Sequence, residues 1–196
     1  MKQLSFLTTF LLICFIGSAQ PITKADLKFL HKKEDSLKIY SIKLLQGIND
    51  IDRFKADSIF TRIFVRALKT PNSFHYPFDS VQSISKLYAP DSSFRIYTWQ
   101  MVVNDNVIRQ HGAIQMKTAD GSLKLFPLID KSDIMQNISD SVGDNKGWVG
   151  AVYYKIIEKE NENNFIGCII CILRFGQIPN GRSIFSTHHV IHHIFI

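Results

Sequence analysis

The chain has 196 residues, 45% hydrophobic, 12% aromatic and 20% charged, with a formal net charge of +6. That composition excludes a disordered, collagenous or disulfide-dense protein, and the length suits one domain. No metal-ligand, nucleotide-binding or catalytic signature of useful specificity occurs, so catalytic, cofactor-binding and metal residues are each read as none and no cofactor is expected.

Met1, Lys2 and Gln3 give a positive start, residues 4–16 are an uncharged, largely apolar run, and Gly17-Ser18-Ala19 supplies small residues at the cleavage positions. This is the pattern of a secretory signal peptide over 1–19, with the mature chain starting at Gln20 in a secreted or periplasmic location. A run of 13 residues is shorter than the roughly 20 needed to cross a bilayer, so no stable transmembrane anchor is expected after cleavage. A lipid on Cys14 is disfavoured by the bulk of Ile13. Loss of Lys2 leaves 22 Lys+Arg against 17 Asp+Glu. Cys168-Ile169-Ile170-Cys171 closes too small a loop to staple a fold and lacks the helix start of a redox Cys-x-x-Cys.

From Pro21 the pattern is helical: Thr23 with Asp26 resembles a capping box, Leu27, Leu30, Leu37, Leu44 and Ile48 recur at helical spacing, and Gly47 is the expected C-cap. A second helix starts at Asn49-Asp50-Ile51-Asp52, carries Phe60, Ile63, Phe64, Ala67 and Leu68 on one face, and stops before Pro71. The lysines at 24, 28, 32, 33, 38 and 43 are interspersed with Asp26, Glu34 and Asp35, which reads as a solvated helix face, with no nucleic-acid partner. Residues 71–90, rich in Pro, Ser and Asp, form a folded-over connection. Within it Ser83-Ile84-Ser85-Lys86 matches the Ser-x-x-Lys of penicillin-recognising acyl transferases by chance, since the companion motifs are missing.

Strand grammar begins at Ser93. Residues 94–103 and 107–117 form a hairpin about Asn104-Asp105-Asn106, Asp120-Gly121 turns into a third strand over 122–126, 130–147 is a long polar loop, and 148–157 is a further strand. Trp99, Tyr97, Trp148, Tyr154 and Phe126 are expected on the packed face. The fold class expected is α+β, an N-terminal helical hairpin followed by an antiparallel β-meander with one sheet face covered by the helices.

Three constellations invite chemistry, and each has a plainer explanation. His188, His189, His192 and His193 would pair at i, i+4 only on a helix, whereas Val190 and Ile191 favour a strand. Asp130, Asp133, Asp140, Asp144 and Asn145 do not follow the order of a calcium loop and read as polar surface. His111 facing Asp105 would make a proton relay, but the sequence places no nucleophile beside it.

The runs Tyr76-Pro77-Phe78-Asp79-Ser80, Asp91-Ser92-Ser93-Phe94-Arg95-Ile96-Tyr97-Thr98-Trp99-Gln100, His111-Gly112-Ala113-Ile114-Gln115-Met116 and Trp148-Val149-Gly150-Ala151-Val152-Tyr153-Tyr154-Lys155-Ile156 resemble an uncharacterised family of secreted proteins common in Bacteroidetes-type bacteria, over about residues 72–157. The resemblance implies no activity, and it implies further strands after 157 bearing lysines. The chain departs from that pattern: its last 32 residues contain no Asp, Glu or Lys, with nine isoleucines and four histidines instead. An out-of-frame reading of an AT-rich gene produces such a composition, so the domain is expected to span 20–164 and 165–196 to be an atypical hydrophobic tail, a frameshift product. The competing reading is a strand pair, 165–176 and 183–196, turning at Pro179-Asn180-Gly181. The function expected is that of an exported, non-enzymatic binding or structural protein of the cell envelope, its partner an envelope protein or polysaccharide. The alternative is an envelope hydrolase with its site on the meander and the Asp-rich loop.

Overall fold

The computed structural model describes residues 21–104, 107–134 and 145–156, together with the backbone of 170–177 and 183–190. Helix α1 spans Lys24–Gln46 and α2 spans Asp50–Leu68. Both start as their caps dictate: the Thr23 hydroxyl accepts from the Asp26 amide and donates to its carboxylate, and the Asn49 side chain accepts from the Asp52 amide. The buried stripe of α1 is Leu30, Glu34, Leu37, Ser41 and Leu44. Leu27 and Ile48, expected on that stripe, are 40% and 93% exposed: Leu27 sits off the arc centred on Leu30 and Leu37, and Ile48 lies in the interhelical turn.

After a short 3₁₀ turn at Ser73–His75 come β1 (Ile84–Tyr88), β2 (Phe94–Asn104), β3 (Val107–Met116) and β4 (Lys124–Leu128), which form one antiparallel sheet in chain order. The protein is thus α+β, a helical hairpin followed by a meander. Strand β4 begins two residues later than the sequence suggests, because residues 117–123 form a wider loop in which Gly121 has φ +72° and the Gly121 carbonyl accepts from the Asn72 amide.

Alternation along β2 decides what each sheet face holds. Tyr97, Trp99 and Met101 meet Phe60, Phe64 and Leu37 of the helices, whereas Phe94 and Ile96 face the other way. That second face is covered too. Trp148, Ala151 and Tyr153 pack there with Phe94, Ile96, Ile114 and Leu128. Gly112 permits the close approach on this face, since a Cβ there would lie 2.7 Å from Leu128 Cδ1 and 3.0 Å from the Tyr97 carbonyl oxygen.

Residues 148–156 are not the ladder strand expected of them: isolated bridges fall at Trp148, which pairs in parallel with Asp130, and at Tyr153. The segment lies across the sheet, and hydroxyls on the sheet face replace ladder bonds: Thr98 Oγ1 accepts from the Tyr153 amide at 2.8 Å and Ser85 Oγ donates to the Tyr153 carbonyl. Tyr154, expected in the packed face, is 42% exposed because Tyr153 takes the inward position.

Strands β5 (Ile170–Gln177) and β6 (Ser183–Val190) pair antiparallel as a separate two-stranded sheet. Residues 165–169 and 191–196 of the strand pair read from sequence lie outside the described residues, and the frameshift and native readings of the tail share the pairing of the rest, since a β-branched, aromatic run favours strands in either case. The leader, Cys14 and Cys168 lie outside the described residues.

Candidate functional site

Three groups of polar side chains converge in the interior. The first is built around Arg95, whose side chain has no exposed surface. Its guanidinium donates to Ser73 O (2.6 Å), Tyr76 O (2.7 Å), Tyr88 Oη (3.0 Å) and Gln115 Oε1 (3.0 Å). The rings of Phe74, Phe78, Tyr88 and Tyr97 surround it, Tyr97 nearest at 4.7 Å from the centroid. The cation is held by carbonyls, an amide oxygen, a phenol and ring faces, which makes it an organiser of the connection between helices and sheet.

The second group ties α1 to the same connection. Glu34, 5% exposed, accepts from the Tyr76 hydroxyl and from the Ser80 amide at 2.7 Å, and His31 Nδ1 lies 2.9 Å from that hydroxyl. Burial and the Glu34 carboxylate push the Tyr76 phenol up from its ordinary value, so it remains a donor. Lys86 of β1 donates to the carbonyls of Phe78 and Val81 at 2.8 and 2.7 Å, with burial holding its ammonium below the usual lysine range. This disposes of the Ser-x-x-Lys match: Ser83 lies in the turn before β1 and Lys86 in the middle of that strand, and the lysine clamps a loop in which Phe78 has φ 55°. An open groove of about 630 Å³ runs between α1 and this connection, with Lys38 on one wall and Asp79 on the other.

The third group is the one with the character of a reactive site. His111 of β3 stacks on Trp99 of β2, with centroids 5.6 Å apart and planes 13° from parallel, and its Nε2 lies 3.5 Å from Asp57 Oδ1 of α2. Asp57 Oδ1, His111 Nε2 and Trp99 Nε1 are all buried, and none completes a hydrogen bond of normal geometry. Burial pushes the Asp57 carboxyl up, against the lowering influence of His111, the Trp99 indole N–H and Arg109. Burial likewise holds His111 below its ordinary 6.5, opposed by the Asp57 carboxylate, with Arg109 lowering it further and Asp130 raising it. Asp105, the relay partner weighed for His111 from sequence, lies outside the described residues; the carboxylate beside His111 is that of Asp57. The sequence signal that marks Asp57 is its position on the apolar stripe of α2, three residues before Phe60, seven before Phe64 and eleven before Leu68.

The linkage has a defined sign. Because the folded imidazole holds its proton less tightly than the unfolded one, the unfolded chain takes up that proton first as pH falls, so this contribution to stability is full above about pH 6.5 and is lost below it. Urea unfolding of the wild type and His111→Gln at pH 7.5 and 5.5 is expected to show a smaller acid loss in the variant; parallel losses would detach His111 from the pH response.

The Asp-rich loop is clasped at its ends. Asp130 Oδ1 accepts from the amides of Ser132 (2.9 Å) and Gly150 (3.0 Å) and from the Ser132 hydroxyl (2.5 Å), and Asn145 donates to Pro127 O at 3.1 Å. Asp140 and Asp144 lie outside the described residues, as do His192 and His193. His188 and His189 occupy successive positions of β6, where Cys171 pairs in register with His189, so both are in a strand and not on a helix. Among the described residues no group of three or more His, Cys, Asp or Glu could hold a metal ion, and no helix is long and apolar enough to cross a membrane. Compared with family models, curated proteins and solved structures, the chain matches none.

Proposed function

We propose that the protein is exported by its N-terminal leader, to the periplasm or beyond, and acts in the cell envelope as a non-enzymatic binding or structural protein. The observation that carries this reading is the use of interior charge. Arg95, Lys86 and Glu34 each hold main-chain groups between residues 73 and 81, which fixes the helical layer onto the sheet as a rigid platform. Kinship with secreted Bacteroidetes-type proteins is part of the same proposal. It is supported by where the similar runs fall, on the connection, β2, β3 and the 148–156 segment that together build both cores. N-terminal analysis of the chain recovered from the envelope or medium is expected to begin at Gln20 or its cyclised form. An intact Met1 or a lipid on Cys14 would overturn export by this route.

One observation favours a second reading, an envelope hydrolase. The meander contributes His111 with a buried carboxylate beside it and a ring perturbed by burial, the traits of an acid–base pair. Turnover of peptidoglycan or ester fragments by the purified chain, abolished in His111→Gln with the fold intact, would replace the binding reading with this one.

A further inference from the structure

We propose that the outer face of the helical hairpin docks on an anionic phospholipid bilayer surface. The inference rests on the envelope-binding reading and names its partner.

The first support is how charge is distributed along the chain. Residues 24–69 carry 11 Lys+Arg and 6 Asp+Glu, whereas residues 70–196 carry 11 of each. The whole excess positive charge that remains beyond the leader therefore lies in the helical layer. Folding sharpens the imbalance. Glu34 is buried under Tyr76, and Asp57 is turned to His111. In contrast, nine of the eleven cations are exposed, including Lys28, Lys32, Lys55, Arg62, Arg66 and Lys69. Among the described residues, no lysine or arginine of this layer lies within 4 Å of a carboxylate. Beyond Asp52, the exposed positions of α2 and its C-cap are Phe54, Lys55, Ser58, Arg62, Arg66 and Lys69, with no exposed acid between them.

The second support distinguishes a bilayer from other polyanions. The same layer exposes large aliphatic side chains, Ile39 (56%) and Ile42 (47%) on α1, Ile48 (93%) in the turn and Ile51 (73%) on α2, followed by Phe54 (38%). Exposed isoleucines in water gain nothing at the surface of a hydrated acidic polysaccharide. At a lipid headgroup boundary they bury apolar area while neighbouring lysines meet phosphates. Two of the lysines set their ammonium groups over ring faces, Lys33 over Phe29 at 5.0 Å and Lys43 over Tyr40 at 5.5 Å, which places cation and apolar surface side by side on α1. No covalent step is involved: the surface is held by Coulomb attraction and shallow burial.

The test is flotation of the full chain with phosphatidylcholine vesicles, with and without phosphatidylglycerol. Binding is expected only to the anionic vesicles and should weaken as salt rises. The triple variant Arg62→Glu, Arg66→Glu, Lys69→Glu should lose about a hundredfold in partitioning, at roughly fivefold per basic residue. The sheet-side control Lys117→Glu, Lys124→Glu, Lys131→Glu should keep it. Ile48→Ser with Ile51→Ser should weaken what remains at high salt. If circular dichroism shows the triple variant unfolded, the milder Arg62→Gln, Arg66→Gln, Lys69→Gln replaces it and should still lose at least tenfold. The leader is common to all variants and cancels between them. Equal binding to neutral vesicles, equal loss in the sheet-side control, or capture by soluble polygalacturonate without vesicle binding would each overturn the proposal. Export is read from the N-terminus and lipid preference from vesicles, so the two readings fail separately.

Discussion

Replacing Arg95 by Met should destabilise the fold by about 4 kcal/mol or more, enough to remove much of the stability of an ordinary domain. The methionine fills a similar volume but removes charge-assisted bonds worth about 1.5 to 3 kcal/mol each: Tyr76 O loses its donor inside the protein, while Ser73 O keeps only the Tyr76 amide and Gln115 Oε1 only the Tyr97 hydroxyl. Arg95→Lys should lose nearly as much, although it keeps the charge. A single ammonium cannot reach acceptors held on three sides by a planar fork, and it stacks poorly against four rings. The effect should spread to the helices, because Gln115 also donates to the Ser73 hydroxyl at 3.1 Å and that hydroxyl donates to Leu68 O at 2.6 Å, at the end of α2. Urea unfolding followed by tryptophan fluorescence measures the loss. A loss below about 1 kcal/mol in either variant would mean that the cage tolerates an apolar tenant and that Arg95 does not organise the connection.

The helical layer is legible in the sequence because its signals are local. Thr23 with Asp26 and Asn49 with Asp52 mark both starts within three residues, and Phe60, Phe64 and Leu68 repeat at helical spacing. The hairpin of β2 and β3 is legible for the same reason. Strand β1 was hidden because its alternation is masked: Ile84, Lys86 and Tyr88 share the helix-facing side, so a cation stands where an apolar residue would announce a strand, and it is stabilised there by two carbonyls 5 and 8 residues upstream. The same masking conceals the interior polar groups. Glu34 and Asp57 each occupy a position in an apolar stripe and read as surface acids until a partner far along the chain, Tyr76 or His111, is folded against them. Residues 148–156 have the composition of a strand and yet are none, because composition reports burial and not whether the backbone bonds to a neighbouring strand or to hydroxyls beneath it.

Trp148→Ala should cost about 3 to 5 kcal/mol, the range for deleting a buried large aromatic side chain. Trp148 is 2% exposed, its indole N–H donates to the Tyr153 hydroxyl, and the two rings meet edge to face at 6.0 Å. It anchors the segment that covers the second sheet face, so its loss should expose Phe94, Ile96 and Ile114 as well as open a cavity. That sets this variant apart from a simple core truncation. Amide exchange should rise first at Tyr153, whose N–H is held by Thr98 Oγ1, and at Trp148, whose N–H is held by Ile129 O at 3.0 Å. The helical face should keep its protection, because Phe60, Phe64, Tyr97 and Trp99 pack in a cluster on the other side of β2. Trp148→Phe keeps most of the burial and removes only the indole bond, so it should cost about 1 to 2 kcal/mol and leave exchange at Tyr153 nearly unchanged. A loss below about 1 kcal/mol in Trp148→Ala, with exchange unaltered at Tyr153, would free this ring from a packing role and make it a platform for stacking a ligand.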